Sequence, residues 1–353
     1  MSLNKKLLNK SPAAGVENSF NTLIYDGNNS SQSITGLGFQ PDLLWIKQRG
    51  GTNPQGWWDS TRGAGKLLVV NTTAAETGNA GDFVGSFDVD GFEVNRNYLT
   101  YTNWDTTNYG VGDTADKYVA WAWKVNGGTT TSNGDGSITS TVQVNADAGI
   151  SIVEYTANAT SGATIGHGLG VEPDLVIVKS TNLTTQSWNT YVKDITDSDS
   201  EFFTLNTSAA IGNTANPRFI VDSFSSTVFS VGDDNATNGI NGTDEYIAYC
   251  FVSVAGYSKI SSYSGTSSSH AITGLGFQPD WVLIKEIDGI DSWELYDSVR
   301  GADKVLYPNG SNAEGTGSNF TSFDTDGFTV SGATSVNESG KNYLYMAFKI
   351  NVS

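Results

Sequence analysis

The chain has 353 residues, which is more than one ordinary core accommodates and suits two or three domains of typical size. Its 19 basic and 37 acidic residues give a formal net charge of −18, which repels phosphate backbones and anionic membranes, so nucleic acid is not an expected partner. The 40 glycines and the 11% aromatic content, together with a scarcity of helix-forming stretches, predict an all-β protein.

A short basic arm occupies residues 1–18 of this otherwise acidic chain. Its distinguishing residues are Lys5, Lys6, Leu7, Leu8 and Lys10. Two interpretations stay open, a disordered terminus and a docking arm that orders on an acidic partner. This end lacks the apolar core of a signal peptide, and no run approaches the roughly 18 apolar residues of a membrane span. We therefore expect folding inside the producing cell and no membrane insertion.

One motif is written three times and predicts the organisation of the chain. It reads Gly-Leu-Gly-x-x-Pro-Asp, is followed by four apolar residues and a lysine, and begins at Gly36, Gly168 and Gly274. Proline fixes φ and glycine permits positive φ, so the motif specifies a turn into a strand. We predict three tandem antiparallel β-sandwich modules of jelly-roll or lectin-like type. Their bounds are 19–126, 138–254 and 255–353, with a flexible linker at 127–137.

Two further motifs are shared by the first and third repeats. Asp-Ser-x-Arg-Gly-Ala occurs at 59–64 and 297–302, where its spacing predicts a local ion pair. Asp-x-Asp-Gly occurs at 88–91 and 324–327, where Asp-Gly between apolar residues favours a hairpin turn over a calcium loop. Cys250, the one cysteine, lies in an apolar run and is predicted to be buried. No metal and no cofactor are expected.

One acidic stretch resembles a catalytic strand. Glu286, Asp288 and Asp291 approximate the Glu-x-Asp-x-x-Glu strand of jelly-roll glucanases, where alternate carboxylates face one cleft as acid and nucleophile. The third acid here is aspartate, and Gly289 interrupts the strand character. We therefore favour a charged loop, assign no catalytic residue and expect no enzyme activity.

The first repeat carries an aromatic-rich insertion in a polar stretch from 95 to 116. Aromatic side chains there pack the loop down or stack on a sugar or a partner. The predicted binding surface comprises Trp57, Trp58, Tyr98, Tyr101, Trp104 and Tyr109.

The order of these motifs, closing with a Tyr-φ-Ala-φ-φ-φ-Lys strand (φ, apolar), resembles a repeat in virion proteins of marine tailed phages, often described as tail-fibre-like. The similarity covers nearly everything after residue 18. It implies a non-enzymatic structural protein of the virion surface, as tail fibre or capsid decoration, assembled in the host cytoplasm. The arm would dock on other virion proteins, and the loops would face outward for host attachment, with a host-surface glycan as a further partner. It also suggests a homotrimer.

The alternative function is a carbohydrate-binding module or a glycan depolymerase of the lectin or glucanase type, which the aromatic residues suggest. The packing of the repeats is a separate question. A ring about a pseudo-threefold axis and a string of beads are both compatible with three repeats. The long joint after the first repeat and the short one after the second favour a two-plus-one arrangement.

Overall fold

A computed structural model describes residues 16–28, 30–79, 82–95, 117–239 and 241–350 of an all-β chain. Every pairing between named strands in this part is antiparallel. A single 3₁₀ turn, Val221–Ser223, is the helical element of the described residues. The prediction of an all-β fold is confirmed.

The first repeat forms two sheets. Their strands are β1 (Phe20–Asp26), β2 (Gln32–Thr35), β3 (Leu43–Gln48), β4 (Gly56–Asp59), β5 (Leu68–Val69), β6 (Val84–Asp88), β7 (Gly91–Val94) and β8 (Lys117–Trp123). The large sheet has the order β1-β8-β3-β4-β5, and the small sheet has the order β2-β7-β6.

The second repeat contributes ten strands. They are β9 (Thr131–Asn133), β10 (Ser140–Asn145), β11 (Ile150–Thr156), β12 (Ala163–Gly166), β13 (Leu175–Ser180), β14 (Asn189–Val192), β15 (Glu201–Thr204), β16 (Gly212–Asn213), β17 (Val228–Val231) and β18 (Glu245–Phe251). The large sheet runs β16-β15-β14-β13-β18-β11-β10-β9, and β12 pairs with β17. Because β9 lies within 127–137, the prediction of a flexible linker there is wrong.

The third repeat contributes the last nine strands. They are β19 (Ser258–Ser264), β20 (His270–Thr273), β21 (Trp281–Glu286), β22 (Glu294–Asp297), β23 (Lys304–Val305), β24 (Gly315–Thr316), β25 (Phe320–Asp324), β26 (Gly327–Val330) and β27 (Asn342–Phe348). Its sheets run β19-β27-β21-β22, β20-β26-β25 and β23-β24. The order β19-β27-β21-β22 repeats β1-β8-β3-β4 and β11-β18-β13-β14, so the repeated sequence has a repeated sheet topology.

The central strands of each large sheet are buried on both faces, which their almost continuous apolar sequences require. In β8, Val119, Trp121 and Trp123 point into one core, whereas Ala120 and Ala122 point into another. The same alternation holds in β18 and β27. One aromatic core is therefore shared by all three repeats. Each repeat also has one smaller core of its own, between its large sheet and its small sheet.

The repeats close into a ring through three equivalent backbone hydrogen bonds. The Glu76 amide of repeat 1 donates to the Thr181 carbonyl of repeat 2 at 2.8 Å. Likewise Ile211 of repeat 2 donates to Ile287 of repeat 3, and Glu314 of repeat 3 donates to Arg49 of repeat 1, both at 2.8 Å. The expected two-plus-one arrangement is therefore wrong, because linker length did not decide which surfaces meet.

Candidate functional site

The repeated motif forms a glycine turn that is clamped by an aspartate. Gly36 and Gly38 have φ of 102° and 81°, and their amides donate to the Asp90 carboxylate at 3.1 and 2.6 Å. Asp326 receives the equivalent pair of bonds in the third repeat. Asp90 and Asp326 are the second acids of Asp-x-Asp-Gly. These motifs form the predicted hairpins, and their second acid also closes the glycine turn.

The second repeat lacks that acid and closes its turn with a histidine. The Leu169 amide donates to Nδ1 of His167 at 3.1 Å, so Nε2 carries the proton toward the Ser225 carbonyl at 3.2 Å. The ring is fully buried, and burial lowers the pKa of His167. His167 is thus a neutral structural group.

The motif aspartate ties the turn to the end of the closing strand. Asp42 accepts the Val125 amide at 2.6 Å and the Ser60 hydroxyl at 2.6 Å. Asp174 and Asp280 accept the equivalent amides, two residues beyond β18 and β27. The aspartates of all three motif copies therefore hold the fold together.

The Asp-Ser-x-Arg segment forms the predicted local ion pair and also reaches the next repeat. Asp59 accepts Arg62 Nε at 2.6 Å, and both side chains are almost fully buried. The same carboxylate accepts the Tyr249 hydroxyl of repeat 2 at 2.7 Å. In the third repeat, Asp297 pairs with Arg300 and accepts Trp121 Nε1 of repeat 1 at 2.9 Å.

The third junction replaces this polar pair with an apolar one. Val192 occupies the position of Asp59 in repeat 2, and Met346 occupies the position of Tyr249 in repeat 3. Both belong to the shared core. At two junctions the acid accepts a hydrogen bond from the neighbouring repeat, and at the third both equivalent positions are apolar, so none of these positions holds a buried carboxylate without a donor.

A third set of contacts also runs around the ring. Trp188 Nε1 donates to the Val69 carbonyl, and Trp293 Nε1 donates to the Thr204 carbonyl, both at 3.1 Å. Gln55, at the equivalent position of repeat 1, donates to the Tyr307 carbonyl at 2.6 Å. In this set of contacts, each repeat donates from one equivalent side-chain position to a backbone carbonyl of its neighbour.

The family model described as "Domain of unknown function (DUF7483)" matches residues 16–352. The chain belongs to the DUF7483 family. No curated protein matches the sequence. Since the match runs through all three repeats, the DUF7483 domain coincides with the whole ring rather than with one repeat.

The three acids of this DUF7483 chain that resemble a catalytic strand lie in different settings. Glu286 is buried and forms an ion pair with Lys341 at 2.8 Å. A Cβ added at Gly289 would lie 1.9 Å from Oε2 of Glu286, so this side chain folds back over its own loop. Burial, then the neighbouring Glu286, raises the pKa of Asp291. Asp288 is exposed.

The predicted aromatic surface is corrected in part. Trp57 and Trp58 are 2% and 1% exposed, because Trp57 packs in the shared core and Trp58 in the core of the first repeat. They therefore form no stacking surface. The remaining members, Tyr98, Tyr101, Trp104 and Tyr109, lie outside the described residues, as do Lys5, Lys6, Leu7, Leu8 and Lys10 of the arm.

Sequence reasoning missed three buried lysines at the ends of β3, β13 and β21. Lys47, Lys179 and Lys285 are each at most 1% exposed, and burial lowers the pKa of each to about 8. Lys47 Nζ donates to the carbonyls of Gln48 and Gly51 at 2.7 and 3.1 Å, and Lys285 makes the equivalent bonds. These ammonium groups hold the following loops. The recurrence of lysine after four apolar residues was the available signal.

Two absences and one buried thiol bear on the chemistry of the described part of the chain. It has no group of three or more His, Cys, Asp or Glu side chains placed to hold a metal ion. None of its helices is long and apolar enough to span a bilayer. Cys250 is buried as predicted, and burial raises the pKa of its thiol to about 12, which opposes nucleophilic reactivity.

Proposed function

We propose that this protein is a non-enzymatic structural component of a tailed-phage virion surface, as a tail fibre or a head decoration. In this proposal the three repeats are jelly-roll or lectin-like sandwiches that act as one scaffold. The arm docks on other virion proteins, and the loops that differ between repeats face outward for host attachment.

The observation that carries the proposal is the closed ring. The polar groups of the repeated motifs are consumed by turns, strand ends and contacts between repeats, as for Asp42, Asp59 and Asp90. Among the described residues, Glu286, one of the acids that resembled a catalytic strand, forms an ion pair with Lys341. Because the polar groups of the repeated motifs bond within the protein, the fold suits a scaffold that presents loops better than an enzyme.

The attachment point of the arm supports the docking role. Val16, the first described residue, is fully buried, and Phe20 packs 4.9 Å from Trp123 in the shared core. The arm, residues 1–18, therefore joins the ring through the buried Val16. Three lysines in that segment add positive charge to an acidic chain, which suits an acidic partner surface.

The ring also bears on oligomeric state. Three repeats of one chain already cover the aromatic faces of the large sheets. A homotrimer, which the phage resemblance suggests, is therefore not needed to bury those faces and would use another surface.

Electron microscopy of purified particles tests the proposal. Gold-labelled antibody against the ring should mark the tail or the capsid, and particles without the protein would refute it. Replacing Lys5, Lys6 and Lys10 by glutamate should reduce incorporation while leaving the thermal unfolding of the ring unchanged. The exposed Lys124→Glu is the control and should be incorporated normally. Normal incorporation of the triple variant would refute docking by the arm.

The glycan alternative retains only the aromatic residues that lie outside the described part. It predicts glycan release from host envelopes that Glu286→Gln abolishes. Absence of release together with empty glycan arrays would leave the structural role.

A further inference from the structure

The three junctions of the ring share a backbone bond but differ in the side chains beside it. Between repeats 3 and 1, Arg49 Nε and Nη2 donate to the two carboxylate oxygens of Glu314, both at 2.8 Å. Between repeats 2 and 3, the equivalent positions are apolar, Ile287 and Ile211. Between repeats 1 and 2 they are Thr181 and Glu76. The Arg49 guanidinium thus fills the junction of repeats 3 and 1, whereas Thr181 occupies the equivalent position at the junction of repeats 1 and 2.

An open cleft of about 390 Å³ lies at this junction between repeats 1 and 2. Its walls include Arg62, Lys66, Glu76, Thr139, Thr141, Glu154, Thr156, Thr181 and Glu245. The hydroxyl-rich, charged lining suits a small polar group better than an apolar one.

The cleft carries more negative charge than the filled junction. Sheet register places Glu154 where repeat 1 has Ile24, and Glu245 where repeat 1 has Lys117. The change from Asp26 to Thr156 removes one carboxylate at the equivalent position. Lys66 Nζ also forms an ion pair with Glu76 Oε1 at 2.9 Å. The cleft gains the carboxylates of Glu154 and Glu245 and has Thr181 where the other junction has Arg49, so its net charge is more negative.

Among the acids of the cleft, Glu154 is the one we consider as an unpaired carboxylate. In the described part of the chain its carboxylate has neither a hydrogen-bond donor nor an ion-pair partner, although it is partly buried. Its charged neighbours are Asp59, Arg62, Glu76 and Glu245, three of which are acids. A carboxylate in this setting gains from an added cation.

We propose that the cleft between repeats 1 and 2 binds the guanidinium of an arginine presented by a partner peptide, in the place that Arg49 fills at the junction of repeats 3 and 1. Arg49 and Glu314 supply the internal template, because a planar guanidinium matches a carboxylate in two bonds where an ammonium acts as a point charge. Glu154 and Glu245 supply the additional negative charge. This site is independent of the virion role.

Calorimetric titration with the peptide acetyl-Gly-Arg-Gly-amide tests the site on the full-length protein. The arginine peptide should bind the wild type more tightly than the lysine or citrulline peptide. Glu154→Gln should weaken binding about tenfold, and Thr181→Arg should abolish it by supplying the guanidinium from within. Asp147→Asn, an exposed acid outside the cleft, should bind as the wild type does.

Several outcomes would overturn the assignment. They are no binding by the wild type, equal binding by wild type and Glu154→Gln, or equal affinity for the arginine and lysine peptides. Calcium binding that Glu154→Gln removes, without peptide binding, would assign the cleft to a metal ion instead. Thermal unfolding of each variant checks that the ring is intact.

Discussion

The Tyr249 hydroxyl of the second repeat donates a 2.7 Å hydrogen bond to the Asp59 carboxylate of the first, across 190 positions of sequence. The same carboxylate is the ion-pair partner of Arg62, whose side chain is 3% exposed. One acid therefore stabilises a buried charge within its own repeat and fixes the neighbouring repeat against it. Local turn geometry and ring closure depend on the same group.

Replacement of Asp59 by asparagine should destabilise the whole protein by about 2–3 kcal/mol, since it leaves the buried Arg62 guanidinium with Glu76 as its remaining ion-pair partner. Urea unfolding followed by tryptophan fluorescence measures the change. Asp26→Asn removes an exposed ion pair with Lys117 and should cost less than about 0.5 kcal/mol. Similar small losses for both variants would contradict the role given to Asp59.

The shared core predicts one unfolding transition for all three repeats. Trp188→Phe and Trp293→Phe each remove an indole donor from a neighbouring repeat's carbonyl and reduce core volume, so each should cost about 2–4 kcal/mol. Both variants should lower the single calorimetric transition without splitting it. Two or more resolved transitions, or loss of stability confined to one repeat, would show that the repeats unfold independently.

Much of the local structure followed from sequence. Gly36 and Gly38 adopt the positive φ that the turn motif predicts, and Asp-Gly forms the expected hairpins. The ion pair of Asp59 and Arg62 follows from their spacing. These features depend on residues close in sequence, where backbone geometry limits the choices.

The ring did not follow, because its contacts join residues far apart along the chain. Two signals were present. The strands after the turn and at the end of each repeat are apolar at nearly every position, which indicates a sheet covered on both faces and therefore argues against exposed Trp57 and Trp58. In addition, Asp59 and Asp297 meet Tyr249 and Trp121, while Val192 has Met346 at the matching position. Comparison of the three copies could have revealed that exchange.

His167 should make the protein less stable as pH falls. Burial lowers the pKa of the folded imidazole below its ordinary value of 6.5, so the unfolded chain takes up the proton first. Stability is therefore complete above about pH 6.5 and decreases below it. The charged groups that act on the His167 imidazole are Asp135 and Glu172, which oppose the lowering of its pKa. Urea unfolding between pH 7.5 and 5 measures it. His167→Asn should flatten this part of the profile, and an unchanged profile would assign the dependence to other groups.

Glu154 should show the opposite pH dependence. Burial, then repulsion from Asp59, Glu76 and Glu245 against attraction by Arg62, raises the pKa of its carboxyl from 4.5 to about 6. As pH falls through this window, the folded state takes up the proton before the unfolded state, so protonation removes a cost that is present at neutral pH. Glu154→Gln should therefore stabilise the protein by about 1 kcal/mol at pH 7, since solvent screens this part-exposed group, and by almost nothing at pH 4. Paired urea titrations at the two pH values measure the difference, with Asp147→Asn as the surface control. A loss of stability at pH 7 would mean that Glu154 has a stabilising partner in the folded protein.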